Sequence, residues 1–141
     1  MTEAAAETLS VVIEREVAFP PERIWRALTQ PHLIEEWLMK SDFKPVVGHR
    51  FNMRRKPKPD FDVVIDCEVL EIEPHRTLTY TWAAFDFDGV VTWTLTPTPN
   101  GTHLRMEQSG FRPDQKRAWG GAKVGLGQAF ERLEQVLARM E

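Results

Sequence analysis

Two prolines divide one stretch of the chain into a strand end and two short helices. The stretch reads Phe19-Pro-Pro-Glu-Arg-Ile-Trp-Arg-Ala-Leu-Thr-Gln-Pro-His-Leu-Ile-Glu-Glu-Trp-Leu38. Proline fits a helix only in the first turn, where its missing N–H has no partner in any case. Pro21 therefore starts one helix, and Pro31 ends it and starts a second. Both helices repeat apolar residues at helical spacing, which predicts one buried face on each. The expected buried residues are Ile24, Trp25, Leu28, Leu33, Ile34, Trp37 and Leu38.

Alternation of apolar and polar residues predicts strands on both sides of this segment. The expected strands cover residues 9–19, 42–47, 49–55, 62–73, 76–83, 90–98 and 102–109. Proline and charge place a hairpin tip at Lys56–Asp60, and Asp86–Gly89 is a second turn signal. Asn100-Gly101 is typical of a type I′ hairpin, in which both central residues have positive φ.

The last part of the chain is predicted to be one long helix. Its apolar stripe comprises Trp119, Leu126, Phe130, Leu133 and Leu137. Four glycines occupy the first half: Gly120, Gly121, Gly125 and Gly127. Each weakens a helix by roughly 1 kcal/mol relative to alanine. Either the regular helix begins after them, or they let its backbone lie close to the sheet.

These elements predict an α+β fold. A curved antiparallel sheet of about six to seven strands would wrap around the long helix, and the two short helices would close one end. The 141 residues suffice for one domain, 1–141, in which residues 1–8 are expected to be a flexible lead-in.

Composition excludes several classes of partner. The formal charge is −3, so the broad cationic surface of a nucleic-acid-binding protein is not expected. No apolar run approaches the ~20 residues of a membrane-spanning helix, and the N-terminus lacks the pattern of a secretory signal. Cys67 is the only cysteine, which suits a reducing cytoplasm and provides no pair for zinc.

The order of elements and several motifs resemble the helix-grip superfamily of START-like domains, and most closely its branch named for the activator of heat-shock-protein-90 ATPase. The segments that carry the resemblance are Ala18–Pro21 with Ile24-Trp25, Pro31 through Trp37, Gly48 before a strand, Leu78-Tyr80-Trp82 and the leucine-rich final helix. Members commonly have Gly-Trp in that helix, where this chain has Gly125-Leu126. The resemblance implies a cavity between helix and sheet; it covers only the domain that names the family, so a chaperone partner is not the favoured expectation.

Inward-facing residues of such a fold are the candidates for binding an apolar or aromatic ligand. They are Arg15, Trp37, Phe43, Phe51, Met53, Tyr80, Trp82, Trp93, Met106, Trp119, Leu126 and Phe130. The alternative is that the large side chains fill the core and leave no cavity. Met39 is also expected near the cavity mouth.

Arg15 interrupts the apolar face of the first strand. A buried guanidinium needs a partner, and its fork fits a carboxylate. Arg15 would therefore anchor an acidic ligand, pair with Glu107 or Asp66, or extend to the rim. The hairpin tip carries a group of basic residues from Arg54 to Lys58. This group is either solvated or a docking surface for an acidic partner.

Catalytic and metal-binding patterns are sparse, and no cofactor, metal ligand or catalytic residue is predicted. The four histidines, His32, His49, His75 and His103, are dispersed. Asp86 and Asp88 are better suited to a turn than to acid catalysis. Tyr80 is either a proton donor to a ligand carbonyl or a structural hydroxyl.

Three functions follow from these observations. The leading hypothesis is a non-enzymatic domain that binds a hydrophobic, lipid-like or polyketide-like molecule. The alternatives are a cyclase- or hydrolase-like enzyme acting in the same cavity, and a stress- or chaperone-associated interaction module. A homodimer is left open.

Overall fold

Residues 8–140, the part of the chain described by a computed structural model, form one antiparallel sheet and three α-helices. The predicted lead-in, apart from Thr8, lies outside these residues. The strands are β1 (Leu9–Val17), β2 (Lys40–Ser41), β3 (Arg50–Lys58), β4 (Phe61–Glu73), β5 (Thr77–Ala84), β6 (Phe87–Thr98) and β7 (Gly101–Phe111). The helices are α1 (Pro21–Thr29), α2 (Pro31–Trp37) and α3 (Lys116–Arg139), the last preceded by a 3₁₀ turn at Pro113–Gln115.

The seven strands lie in the order β1-β7-β6-β5-β4-β3-β2, and every neighbouring pair is antiparallel. Strands β3 to β7 form hairpins with their neighbours in sequence. Strand β1 pairs with β7 and forms the edge of the sheet opposite β2. Alternate residues of the sheet pack with α3 in a single core. The predicted α+β architecture, with two short helices after the first strand and a long helix at the end, is confirmed.

The two proline boundaries are also confirmed. Pro21 and Pro31 each occupy the first turn of a helix. The side chain of Trp37 ties the two helices together, because its indole Nε1 donates to the carbonyl of Ala27 at 2.9 Å. No helix of the described residues is long and apolar enough to cross a membrane.

The predicted strand at 42–47 is wrong. Only Lys40–Ser41 pairs with β3, and the chain then leaves the sheet. The Asp42 carboxylate accepts a hydrogen bond from the backbone N–H of Asn52 at 2.8 Å, and Gly48, with φ of 90°, closes the loop. Side-chain bonding and a left-handed residue replace the strand ladder here.

The predicted tip at Lys56–Asp60 is smaller than expected, since β3 continues through Lys58.

Two turns lie elsewhere than predicted. The β5–β6 turn is Phe85–Asp86, and Gly89 lies within β6. A Cβ on Gly89 would come within 2.1 Å of the carbonyl oxygen of Ser109, so this glycine serves close strand packing. At the β6–β7 hairpin the turn residues are Pro99 and Asn100, and Asn100 does not have the positive φ of a type I′ turn.

Neither expectation for the glycines of α3 is correct. The helix begins at Lys116, ahead of all four. A Cβ built on Gly120, Gly121, Gly125 or Gly127 meets nothing within 4 Å, so no close backbone approach requires them. Their missing side chains instead leave open space beside the first half of the helix.

Replacing Gly121 with alanine should stabilise the protein. Gly121 is exposed, is helical and has room for a methyl group, so the change adds roughly 1 kcal/mol of helix propensity to the free energy of unfolding. Urea unfolding followed by circular dichroism measures it. Gly48→Ala is the contrasting variant: its φ of 90° disfavours a side chain, so that change should destabilise.

The β1–β7 pair carries a pH-sensitive contact. The ring nitrogens of His103 hydrogen-bond to the carboxylates of Glu16 and Glu14, the latter at 2.7 Å. These bonds, with Glu16 the larger influence, raise the pKa of His103 above its ordinary 6.5. Charged imidazole is the bonded form, so the stabilisation is fully present below about pH 6.5 and is lost as pH rises through the folded-state pKa.

An NMR titration should therefore find the pKa of His103 raised, and Glu16→Gln should lower it. In the His103→Gln variant the melting temperature should lose this part of its pH dependence above pH 6.5. An unshifted His103 titration in the parent protein would contradict the prediction.

Candidate functional site

Interlocking aromatic rings fill the middle of the concave face. Trp93 is central: its ring stacks on Phe130 at 5.5 Å between centroids and meets Trp37 edge-on at 5.6 Å. Its indole Nε1 donates to the Tyr80 hydroxyl at 3.1 Å. Phe51 contacts both Tyr80 and Phe43 edge-on. This region is closed core.

A pocket of ≈ 330 Å³ lies to one side of that core. Its floor is the sheet, from Val63 and Ile65 on β4 to Phe111 on β7, and its roof is the first half of α3. Small residues of the helix, Ala118, Ala122 and Gly125, face the opening at helical spacing. The further lining residues are Leu38, Met39, Arg55, Trp82, Ala84, Phe85, Phe87, Gln108, Leu126 and Arg132.

The structure brings two of the predicted site residues to this pocket, Trp82 and Leu126. Met39, expected at the mouth, also lines it. Eight others are buried in the core and do not line it: Trp37, Phe43, Phe51, Met53, Tyr80, Trp93, Met106 and Phe130. These eight residues lie where the alternative interpretation of the sequence put them, in a filled core. Their volumes interlock, and open space remains only where the helix has small residues.

Trp119 and Arg15 also lie away from the pocket. The indole Nε1 of Trp119 donates to the carbonyl of Ser10 at 2.8 Å, which turns the ring toward β1. Arg15 is exposed, with its guanidinium carbon 5.7 Å from the centre of the Phe130 ring. The expected acidic partners are engaged elsewhere: Glu107 pairs with Arg105, and Asp66 accepts from Asn52. Arg15 therefore pairs with neither Glu107 nor Asp66, and its exposed side chain lies outside the pocket.

Sequence reasoning missed all three polar residues of the pocket, Arg55 and Gln108 on strands and Arg132 on α3. Gln108 follows Leu104 and Met106 at strand spacing, so it points to the concave side. Arg55 follows Phe51 and Met53 in the same way, although the sequence placed it in the basic hairpin tip. One sequence pattern could have identified both residues: each is a polar residue that continues the every-second-residue spacing of the apolar face of its strand.

Sequence reasoning also missed Gln115, a buried residue just before α3. Its side-chain Nε2 donates to the carbonyl of Asp86 at 2.7 Å, and its Oε1 accepts from the backbone N–H of Arg112 at 2.8 Å. Arg112 in turn pairs with the Asp86 carboxylate at 2.9 Å. The start of α3 is thereby tied to the β5–β6 turn. Asp86 therefore has a structural role, and Asp88 lies in β6.

The same turn presents Phe85 at the pocket. Phe85 is 82% exposed and has φ of 55°, a left-handed conformation that is unfavourable for a bulky residue. Its ring lies beside Phe61, 6.5 Å between centroids. An exposed aromatic kept in a strained turn at a pocket is a feature that suggests function.

The two reactive groups of the core are held in their protonated forms. Burial raises the pKa of the Cys67 thiol to about 12, with smaller contributions from the charges of Asp66 and Asp42. Burial likewise raises the pKa of Tyr80 far above its ordinary value, and its hydroxyl accepts the bond from Trp93. Among the described residues that line the pocket there is no histidine, cysteine, tyrosine, aspartate or glutamate.

A seven-stranded antiparallel sheet closed over a long C-terminal helix defines the helix-grip class of domain. Residues 18–138 match the model of the family described as Activator of Hsp90 ATPase homolog 1-like protein. The chain belongs to this family.

Solved structures agree with the assignment. Protein MLL2253 from Mesorhizobium loti is 63% identical, with a TM-score of 0.87 over 94% of this chain and 99% of that one. A Rhodobacter sphaeroides protein is 24% identical, with a TM-score of 0.81 over 94% and 93% of the two chains. CalU16 from Micromonospora echinospora is 23% identical, with a TM-score of 0.78 over 99% and 82%. The last two show the shared fold alone, and comparison with curated proteins finds no match.

Proposed function

We infer that this domain binds a small apolar or aromatic molecule in the pocket between α3 and the sheet. The observation that carries the proposal is the ≈ 330 Å³ space itself, walled by Trp82, Phe87, Phe111 and Leu126. Concave, largely apolar spaces with a few polar groups are the usual form of small-molecule sites. The fold of the family is compatible with this function. We also propose that the protein is located in the cytoplasm.

Binding without catalysis is the reading that the lining supports. General acid–base catalysis needs a titratable group within reach of the substrate. The polar side chains of the described lining are two arginines and one glutamine, and none of them is a usual general acid or base. A homodimer stays open, and a chaperone partner stays the less favoured alternative.

Trp82 provides the test. N-phenyl-1-naphthylamine, a neutral probe whose emission rises in apolar surroundings, should bind and quench part of the tryptophan fluorescence. It should also raise the melting temperature, because a ligand of the folded state adds RT ln(1 + [L]/Kd), about 2.7 kcal/mol at 100 times Kd.

The matched variants are Trp82→Phe, which should lose most of the quenching, and Trp119→Phe, which should retain it because Trp119 faces β1. If this probe and a panel of fatty acids, sterols, flavonoids and polyketides all leave both fluorescence and melting temperature unchanged, the proposed function is wrong.

A further inference from the structure

Three polar side chains interrupt the apolar lining of the pocket, and each has unused bonding capacity. They are Gln108 on β7, Arg55 on β3 and Arg132 on α3. The charges and free hydrogen-bonding groups of these side chains indicate the chemical class of the ligand. This inference rests on the proposed function.

Gln108 lines the pocket with a side-chain amide that has no partner among the described residues. The residue is 3% exposed, and within residues 8–140 its side chain forms no hydrogen bond. A primary amide offers two N–H donors and an acceptor oxygen. Since Gln108 lines the pocket, the partner it lacks is one that a ligand can supply.

Arg55 is a second unpaired group. The neighbouring basic residues on β3 are engaged, Arg54 with Asn52 and Lys56 with Asp62. The side chain of Arg55 forms no hydrogen bond or ion pair with the described residues. It lies opposite Val63, on the strand face that continues from Met53 to the pocket.

Arg132 reaches the pocket from the helix. Its Nε donates to the carbonyl of Trp37 at 3.1 Å, which fixes the orientation of the guanidinium. Its two terminal nitrogens make no ion pair with any acid of residues 8–140. A fixed planar fork with free N–H donors suits a carboxylate or a similar oxyanion.

The charge balance of the pocket is therefore opposite to that of the chain. Two arginines and no carboxylate line it among the described residues, while the whole chain carries a formal charge of −3. We propose that the ligand is an amphipathic organic anion. Its acidic group binds Arg55 and Arg132, its apolar or aromatic body packs on Trp82, Phe87 and Leu126, and a hydroxyl or carbonyl oxygen bonds to Gln108.

The charge is tested with two probes of one shape, 2-naphthoate and its neutral carboxamide, by titration calorimetry at low salt. The carboxylate should bind roughly fivefold more tightly, and added salt should remove that advantage. Arg55→Gln should also remove it, with the melting temperature unchanged because Arg55 has no partner to lose. Arg54→Gln, an equal loss of charge on the other face of β3, should keep it.

Equal binding of the two probes, or an advantage that survives Arg55→Gln, overturns the anion assignment. If N-phenyl-1-naphthylamine still binds in that case, the proposed function stands without it. If no probe binds, both are wrong.

The amide is tested with 6-hydroxy-2-naphthoate against 2-naphthoate. The hydroxyl, at the far end of the ring system from the carboxylate, should strengthen binding roughly three- to tenfold. Gln108→Leu should abolish that difference while leaving the melting temperature equal or higher, because the Gln108 side chain makes no hydrogen bond with the described residues that the change could remove. A difference that persists in Gln108→Leu, or a melting temperature that falls, would assign Gln108 to the protein's own core and overturn its ligand role.

Discussion

Replacing Leu126 with tryptophan should close the pocket and leave the fold intact. Leu126 is half-buried and lines the pocket from α3. The larger ring would occupy space that we assign to the ligand. Overpacking a filled site costs about 1–3 kcal/mol, which corresponds to roughly 5- to 150-fold weaker binding.

The measurement is the affinity of N-phenyl-1-naphthylamine, followed through the emission of the probe because the variant adds a tryptophan. Val124→Trp is the control: Val124 is 63% exposed on the same helix and does not line the pocket, so this variant should bind like the parent protein. Unchanged affinity in Leu126→Trp would place the binding site elsewhere on the molecule.

Replacing Phe130 with alanine should cost about 3–5 kcal/mol of unfolding free energy. Phe130 is 1% exposed, and its ring stacks on Trp93, the centre of the aromatic core. The neighbouring side chains are held by several further contacts, among them the edge-on packing of Trp37 on Trp93, so they can refill little of the cavity left behind.

Urea denaturation monitored by circular dichroism measures this change. Val124→Ala, on the same helix but exposed, should stay within about 0.5 kcal/mol of the parent protein. Because Phe130 does not line the pocket, the folded fraction of Phe130→Ala should still bind the probe. A loss below about 1 kcal/mol would show that this core is loosely packed.

Much of the fold was predictable because its signals are local. Pro21 and Pro31 set the helix boundaries through a missing N–H, which acts within one turn. The alternation along β4, from Val63 to Val69, reports burial of one strand face, and each of these alternate residues is buried. The wrong turn prediction at Asp86–Gly89 has a long-range cause, because the position of Gly89 depends on the carbonyl of Ser109, a residue on another strand.

For the candidate site, the sequence predicted a space between the helix and the sheet but not its position. Periodicity shows that Phe51, Trp93 and Phe130 face inward, but it cannot show that their rings interlock and leave no space. The sequence by itself determined which apolar strand residues point to the concave side. Where an opening remains is a difference between the volumes of side chains far apart in the chain, so only the tertiary structure could place it beneath the small residues of α3. The same holds for Gln108 and Arg55, because a side chain is known to lack a partner only when every neighbour is in place.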